Sequence, residues 1–248
     1  MKADKPIELN RYRDERNLIL YPFCSTSKRK RLQSINYKSQ RGQWLQVSAN
    51  HEYGIAKIWD FDILRYALAK AKAMTDLCND FPPYVEFSAY KCVKAIKRDP
   101  NSGKNIIWLR EALTRLANTT YRGSIFMGDS KKSFTLMRYE YIEDAKGKKI
   151  KITFDEHLIK LARYYKNLLT IDEEVIREES GIKKRLLELV KVCKGNALEW
   201  TTKLSRLNEI CAHEGQLKEF KRLLKSYALP WKISFSKSFD REDNVTFT

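Results

Sequence analysis

Apolar residues recur at every third or fourth position along residues 216–227, which predicts an amphipathic helix. The apolar face is formed by Leu217, Phe220, Leu223, Leu224 and Tyr227. The opposite face carries the cations Lys218, Lys221, Arg222 and Lys225, and the only acid of the segment, Glu219, lies beside them. One face is therefore expected to enter a core and the other to contact DNA. An ordinary solvated face that carries several lysines is the alternative.

The segments on either side of this helix follow the order of a winged helix-turn-helix unit. Upstream, residues 203–212 predict a shorter helix, and the connection His213-Glu214-Gly215 is short and contains glycine. Downstream, apolar and polar residues alternate along residues 231–236, which predicts a strand, and residues 244–248 supply its hairpin partner. The unit opens with a helix predicted from Gly181 to Cys193, whose inner apolar face has Lys183, Lys184 and Arg185 beside it.

A second set of these signals comes earlier in the chain. A long amphipathic helix is predicted from Phe61 to Cys78, a short strand over residues 84–87 and a helix from Ser88 to Ile96. Another helix is predicted over residues 104–118, with the apolar face Ile106, Leu109, Leu113 and Leu116. Its mixed outer face offers three candidate DNA contacts, Lys104, Trp108 and Arg115. For Trp108 we favour the alternative of a core or interface position.

The wing of this earlier unit is predicted as a hairpin of residues 119–127 and 133–142. Its connection, Gly128-Asp129-Ser130-Lys131-Lys132, and the first strand offer Arg122, Lys131 and Lys132 to the DNA backbone. Residues 150–154 predict a further strand, followed by a helix that starts after Asp155. Residues 167–172 are predicted to be a linker.

The first fifty residues are predicted to be a tail-like, basic N-terminal arm. Lys28-Arg29-Lys30-Arg31 is the densest positive run of the chain, and it suits either phosphate contact or a solubilising segment. Residues 34–37 and 44–48 predict a hairpin within this region. The whole pattern predicts an α+β fold with two tandem winged helix-turn-helix domains. We place the arm at residues 1–50, the first domain at 51–166 and the second at 167–248.

Charge favours a polyanionic partner. The 248 residues include 48 Lys and Arg against 31 Asp and Glu, a formal net charge of +17. Such a balance suits nucleic acid first and an anionic membrane surface second. No apolar run of about 18 residues is present, so no membrane span is expected. Five cysteines without a C-x-x-C motif predict a reduced, cytoplasmic protein.

Motifs of known catalytic sites are missing from the sequence. There is no G-x-x-x-x-G-K-[ST], G-x-S-x-G or H-E-x-x-H, and the three histidines lie far apart. The carboxylates at 172–174 and 178–179 fit acidic first turns of helices better than a two-metal site. We therefore expect no enzyme, no cofactor and no metal site.

Several segments resemble the plasmid replication initiator protein A family. They include NLILYPFCSTSKRKR at residues 17–31, HEYGIAKIWDFDILRYA at 51–67 and LREALTRLANTTYR at 109–122. The likeness continues in the same order through residues 170–193, 200–212 and 216–235, so it covers nearly the whole chain. The signature YGIA-x-IWD-x-DIL is its most specific part.

The resemblance implies two winged-helix domains that bind double-stranded origin DNA at direct repeats, in a bacterial cytoplasm. It also implies opening of adjacent A·T-rich DNA, recruitment of host replication proteins such as the helicase or its loader, and repression of the protein's own promoter as a homodimer. Two alternatives stay open: a transcriptional repressor or autoregulator at an operator and, in another class, an origin-nicking endonuclease. On the basic helix we expect Arg222 to read guanine, and Lys221 or Lys225 to contact phosphate.

Overall fold

The computed structural model describes residues 12–78, 80–125, 130–144, 147–163, 168–237 and 242–248. Its helices are α1 (Arg16–Leu20), α2 (Phe61–Cys78), α3 (Ala89–Ala95), α4 (Gly103–Asn118), α5 (Glu156–Arg163), α6 (Glu173–Arg177), α7 (Gly181–Lys194), α8 (Leu204–Ile210) and α9 (Leu217–Ser226). Its strands are β1 (Tyr12–Glu15), β2 (Ile35–Lys38), β3 (Trp44–Ser48), β4 (Tyr84–Phe87), β5 (Thr120–Gly123), β6 (Ser130–Phe134), β7 (Met137–Asp144), β8 (Gly147–Phe154), β9 (Leu168–Ile171), β10 (Trp200–Lys203), β11 (Ile233–Lys237) and β12 (Asp243–Phe247). The prediction of a mixed helix-and-strand fold is confirmed.

The first unit consists of α2, β4, α3, α4 and the hairpin β7–β8. Strand β4 pairs with β8, which pairs with β7, and both pairings are antiparallel. Ser88 begins α3, since its hydroxyl accepts a hydrogen bond from the Lys91 backbone N–H at 3.2 Å. The predicted helices of this region are present, and they bury Leu109, Leu113 and Leu116 of α4 against the sheet and the other helices.

The second unit repeats this order with α7, β10, α8, α9 and the hairpin β11–β12. Its sheet has the order β10-β12-β11, so in both units the strand that follows the opening helix pairs with the last strand of the hairpin. The repeated order of elements implies a strand at the place of β10, but the sequence pattern assigns no residues to it. Its residues Trp200 to Lys203 are mostly polar and gain their structure by pairing with β12.

The prediction of a tail-like arm is wrong for the described residues 12–50. They form β1, α1 and the β2–β3 hairpin, and Leu18, Ile19 and Phe23 are buried in the common core. The predicted hairpin is confirmed, with Ile35 opposite Val47. The basic residues are concentrated in one short run. The apolar residues before and after that run place the segment in the core.

Two long-range pairings also correct the prediction. Strand β5 pairs with β3 and β6 in a four-stranded sheet, while β7 pairs with β8, so the predicted strand 133–142 is divided between two sheets. The division falls next to Leu136 and Met137, which are both fully buried. The predicted linker is strand β9, which pairs with β1. Residues 126–129, which hold the end of the predicted first wing strand and the start of its connection, lie outside the described residues.

A cluster of six buried charged side chains joins the opening helices of the two units, α2 and α7, to β1. Its members, called the charge cluster below, are Asp14, Asp62, Arg65, Lys184, Arg185 and Glu188, each at most 3% exposed. Arg65 lies at its centre, with its guanidinium 2.7 Å from Asp14, 2.9 Å from Asp62 and 2.8 Å from Glu188. Burial alone would lower the pKa of Arg65, but the surrounding carboxylates raise it well above its ordinary value.

The two cations of α7 complete this cluster. Lys184 lies 2.7 Å from Asp62, and Arg185 donates to the backbone carbonyls of Leu18 and Tyr21 at 3.2 and 2.5 Å. Sequence reasoning placed these cations merely beside the inner face of the helix, whereas they are buried. Buried ions of opposite sign are costly to separate, so the cluster fixes how the two units meet.

Candidate nucleic-acid interface

Helix α9 is held on the second unit by its apolar face. Phe220 and Leu224 are fully buried, and the Phe220 ring centroid lies 5.3 Å from that of His213 in the turn after α8. Leu217, predicted to belong to this face, is 40% exposed, because it is the first residue of the helix and lies beyond the edge of the core. The packed residues orient the cationic face away from the protein.

The predicted cations of α9 differ in what they contact. Lys218, Arg222 and Lys225 are exposed, and within the described residues Lys218 and Arg222 have no ion-pair partner. Lys221 is half-buried, and its ammonium lies 2.6 Å from the Asp243 carboxylate of β12. The ammonium groups of Lys221 and Lys225 lie 5.1 and 5.5 Å from the ring centroid of Phe235 in β11.

Asp243 fastens the hairpin β11–β12 to the basic helix. It accepts from Lys221 and also lies 2.7 Å from Lys237. These two hydrogen bonds, that of Lys221 being the larger influence, lower the pKa of Asp243 from 3.8 to about 2. Lys221 of α9 and Lys237 of β11 are therefore joined through one carboxylate.

The N-terminal basic run lies beside the turn that leads into α9. Arg31 is half-buried and donates to the Ala212 carbonyl at 2.7 Å, with Glu214 at 3.5 Å. Thr26 adds a hydrogen bond of 2.9 Å from its hydroxyl to the Cys211 carbonyl. Arg31 thus anchors the run to the turn after α8, and its predicted DNA contact stays a prediction. Lys28, Arg29 and Lys30 stay exposed within the same neighbourhood.

Gly54 of the YGIA signature allows the basic run at Lys30 and Arg31 to lie close against the backbone of residue 54. Its φ is +79°, a conformation that favours glycine. A Cβ atom there would lie 2.9 Å from the Lys30 side chain and 3.0 Å from the Arg31 carbonyl. The next residue, Ile55, donates its backbone N–H to that same carbonyl at 2.9 Å. The signature glycine therefore positions the basic run.

The candidates on α4 do not form a comparable surface. Lys104 is exposed, but Trp108 is half-buried beneath the Arg98 guanidinium, which lies 3.8 Å from its ring centroid. Arg115 is only 8% exposed and makes two hydrogen bonds to Asp60, at 2.8 and 2.9 Å. The prediction that Arg115 contacts DNA is wrong, because its charge is paired inside the protein.

The remaining predicted contacts belong to the N-terminal sheet. Arg122 is exposed on β5, with its guanidinium 5.9 Å from the ring centroid of Trp44. Lys132 is exposed on β6. The Lys131 side chain lies outside the described residues. Since β5 and β6 pair with each other in this sheet, these cations do not lie on the β7–β8 hairpin.

Sequence reasoning missed a cleft between the two units. Cations from distant segments line it, among them Lys28, Lys57 and Arg98, and Glu178 and Glu179 lie among them. The Lys57 ammonium donates to the Lys28 carbonyl at 2.6 Å. Helical periodicity gives no signal for such a cleft, because its residues meet only through the fold.

The described residues contain no group of three or more His, Cys, Asp or Glu side chains arranged to hold a metal ion. The carboxylates considered for such a site pair with cations instead: Glu173 lies 2.9 Å from Lys97, and Glu178 lies 2.9 Å from Lys183. Among the described helices, none has the length and apolar character needed to cross a bilayer.

Comparison with known proteins gives a consistent family. A protein of Wigglesworthia glossinidia brevipalpis named "Putative replication protein" is 30% identical over 181 residues, which are 69% of this chain and 65% of that relative. Crystal structures of domains 2 and 3 of RctB share the fold. One, of selenomethionine derivatives, has a TM-score of 0.57 at 12% identity and covers 89% of this chain and 92% of its own. Another has a TM-score of 0.53 at 12% identity, with 91% and 94% covered.

The sequence profile described as replication initiator protein A matches residues 13–229, which include the first unit, the charge cluster and the second unit through α9. This chain is therefore a member of the replication initiator protein A family.

Proposed function

We propose that this protein initiates plasmid replication by binding repeated sites in an origin as a sequence-specific double-stranded DNA-binding protein. The observation that carries the proposal is the surface of α9, with exposed Lys218, Arg222 and Lys225 backed by the hairpin β11–β12. Membership in an initiator family and a net charge of +17 support the same function.

In this proposal each unit is a winged helix-turn-helix domain, and α9 is the recognition helix of the second. A recognition helix lies in the major groove, where the fork of Arg222 matches the O6 and N7 atoms of guanine. Lys225 and the hairpin cations contact phosphates, which set the register without reading sequence. Lys28, Arg29 and Lys30 extend the phosphate contacts from beside the turn that precedes α9.

The first unit contributes less charge to this interface. The α4 surface keeps Lys104 and Arg110 exposed, together with Ile107, whose side chain is also exposed. We assign to α4 the neighbouring segment of the same site, with fewer phosphate contacts than α9. Opening of the origin, recruitment of the host helicase or its loader, and the absence of catalytic activity belong to the same proposal.

Footprinting of the full chain on a fragment with direct repeats tests this function. Protection at each repeat is expected, with affinity falling about tenfold to thousandfold between low and physiological salt. Protection of a single palindrome alone favours a repressor. Site-specific nicking of a supercoiled origin plasmid in Mg²⁺ or Mn²⁺ contradicts the non-catalytic part of the proposal, and salt-independent affinity contradicts the assigned surface.

A further inference from the structure

A second basic groove lies between the N-terminal sheet and the second unit, away from the outward face of α9. The β2–β3 turn, with Arg41, forms one wall, and β10 with the start of α8 forms the other. The charged side chains that line it are Arg41, Lys203 and Arg206, and no Asp or Glu is among the described lining residues. The groove is therefore suited to an anion.

A buried hydroxyl group in the groove wall lacks a partner. Tyr37 is 4% exposed, and its hydroxyl makes no hydrogen bond with any described residue. Its neighbour Tyr21 differs, because its hydroxyl donates to the Gln43 side chain at 2.8 Å although the two ring centroids are only 5.9 Å apart. Buried polar groups are normally paired, and the described residues provide no acceptor for the Tyr37 hydroxyl, so a ligand can supply it.

The charges around the two tyrosines favour a negatively charged acceptor. Burial raises the pKa of Tyr37 while the nearby Arg206 lowers it, and the net increase keeps the hydroxyl protonated as a donor at neutral pH. Arg206 and Arg41 likewise lower the pKa of Tyr21, which burial raises. Within the described part of the chain, neither arginine has an ion-pair partner.

Acidic groups nearby are few and lie outside the groove lining. Glu209 raises the pKa of Tyr37, and Glu15 raises the pKa of Tyr21. Glu242 lies 2.8 Å from the Lys203 ammonium. The cleft between the units is different, because Glu178 and Glu179 are part of its lining. Among the described residues, two arginines without an ion-pair partner and one hydroxyl without a hydrogen bond thus distinguish the groove at β2–β3 and α8.

We infer that this groove binds a phosphate group, whose oxygens accept from the Tyr37 hydroxyl and the Arg206 and Arg41 guanidinium groups. Arginine is well suited to this role because its fork of N–H donors matches phosphate geometry. The phosphate belongs either to a free ligand, such as inorganic phosphate or a nucleotide, or to the backbone of bound DNA. Only the second source rests on the proposed function.

Calorimetry with the full chain tests the free source, with inorganic phosphate and ATP as probes and chloride at matched ionic strength as the reference. Binding is expected to weaken by about tenfold in Arg206→Gln and by a smaller factor in Tyr37→Phe. Arg177→Gln is the matched control, because Arg177 is an exposed arginine paired with Glu173 outside the groove, and it should bind like the unaltered protein. Tyr37→Phe removes one unpaired hydroxyl, so in phosphate-free buffer it should melt no lower than the unaltered protein.

A DNA duplex without origin sequence tests the backbone source. If neither free probe binds, the salt dependence of duplex affinity should become shallower by about 0.9 in Arg206→Gln, as expected for one lost phosphate contact. Arg222→Ala serves as a separate readout of the α9 surface.

Unchanged free-probe binding and an unchanged salt slope in both groove variants overturn the inference, as does a lower melting temperature of Tyr37→Phe without phosphate. Loss of duplex binding in Arg222→Ala alone leaves the proposed function standing without the groove.

Discussion

Helices α4 and α9 occupy the same place in their units, after a shorter helix and before a hairpin. Arg115 on α4 and Arg222 on α9 nevertheless differ in exposure and in pairing. Arg222 on α9 is exposed and has no ion-pair partner among the described residues. Arg115 on α4 is buried and forms a two-hydrogen-bond pair with Asp60, which precedes α2. At equivalent places in the two units, one arginine therefore stabilises the fold and the other is exposed to solvent.

The difference teaches that position on a helix does not decide what a cation does. Both arginines lie off the apolar stripe of their helix, so local periodicity assigns them to the same class. The partner of Arg115 is 55 residues away in sequence, where no helical pattern reaches it. Which cations are available to DNA follows from tertiary pairing. Four variants test the comparison.

The largest effect is expected from Arg115→Ala. It leaves the fully buried Asp60 carboxylate without its guanidinium partner, which should lower the free energy of unfolding by about 3–5 kcal/mol. Chemical denaturation measures the loss. Base preference among single-base variants of the site should remain unchanged at temperatures where the variant is folded. A variant of normal stability and altered base preference would make α4 equivalent to α9.

Arg222→Ala is the counterpart on α9. It should weaken binding to the cognate site by about 1–3 kcal/mol and relax the preference at one base position. Its melting temperature should not change, because the side chain is exposed. Binding to a library of single-base variants provides the measurement, with Lys225→Ala as a phosphate-contact control that weakens every sequence alike. An unchanged preference profile would transfer the reading role to α4.

A smaller and sequence-independent effect is expected from replacing Lys28, Arg29 and Lys30 by alanine. Specific and random DNA should lose affinity by similar factors, because phosphates carry no sequence information. Arg31 is left in place, since it anchors the run to the Ala212 carbonyl. Competition binding with both kinds of DNA measures the factors, and a loss confined to the origin site would assign base reading to the run.

The smallest effect concerns Asp243 and pH. Its pKa in the folded protein, about 2, is below the ordinary value of 3.8, so its pairing with Lys221 and Lys237 stabilises the fold above that value. The contribution should decline as pH falls from about 3.8 toward 2. Asp243→Asn should therefore melt slightly lower than the unaltered protein near neutrality, and the difference should shrink as pH falls toward 2. An equal melting temperature at both pH values would mean that Asp243 does not hold the hairpin.

Features set by local pattern could be predicted from the sequence, and those set by distant pairing could not. The amphipathic spacing of Phe220 and Leu224 is sufficient to predict α9, and alternation predicts the β2–β3 and β11–β12 hairpins. The sequence predicts a linker in place of strand β9, because Leu168 to Ile171 is short and its pairing partner, β1, lies more than 150 residues earlier.

The candidate site follows the same division. The exposed cations of α9 are visible in the sequence because their apolar partners are local. The pairing of Arg115 with Asp60 and of Arg31 with the Ala212 carbonyl has no local sequence signal, because each partner lies in a distant segment. The orphan hydroxyl of Tyr37 has no sequence signal at all, because an unpaired donor is defined by what surrounds it in space.

The charge cluster between α2 and α7 has a consequence for how the family can diverge. Its cations and carboxylates form an interlocked set in which Arg65 alone touches three carboxylates, so any single charge change strands an ion in the core. We therefore expect charged residues of this cluster to be substituted together or not at all. The exposed cations of α9 carry no such constraint and can change one at a time. If α9 reads DNA as proposed, relatives can change their DNA site through these exposed residues while they keep the same junction between the units.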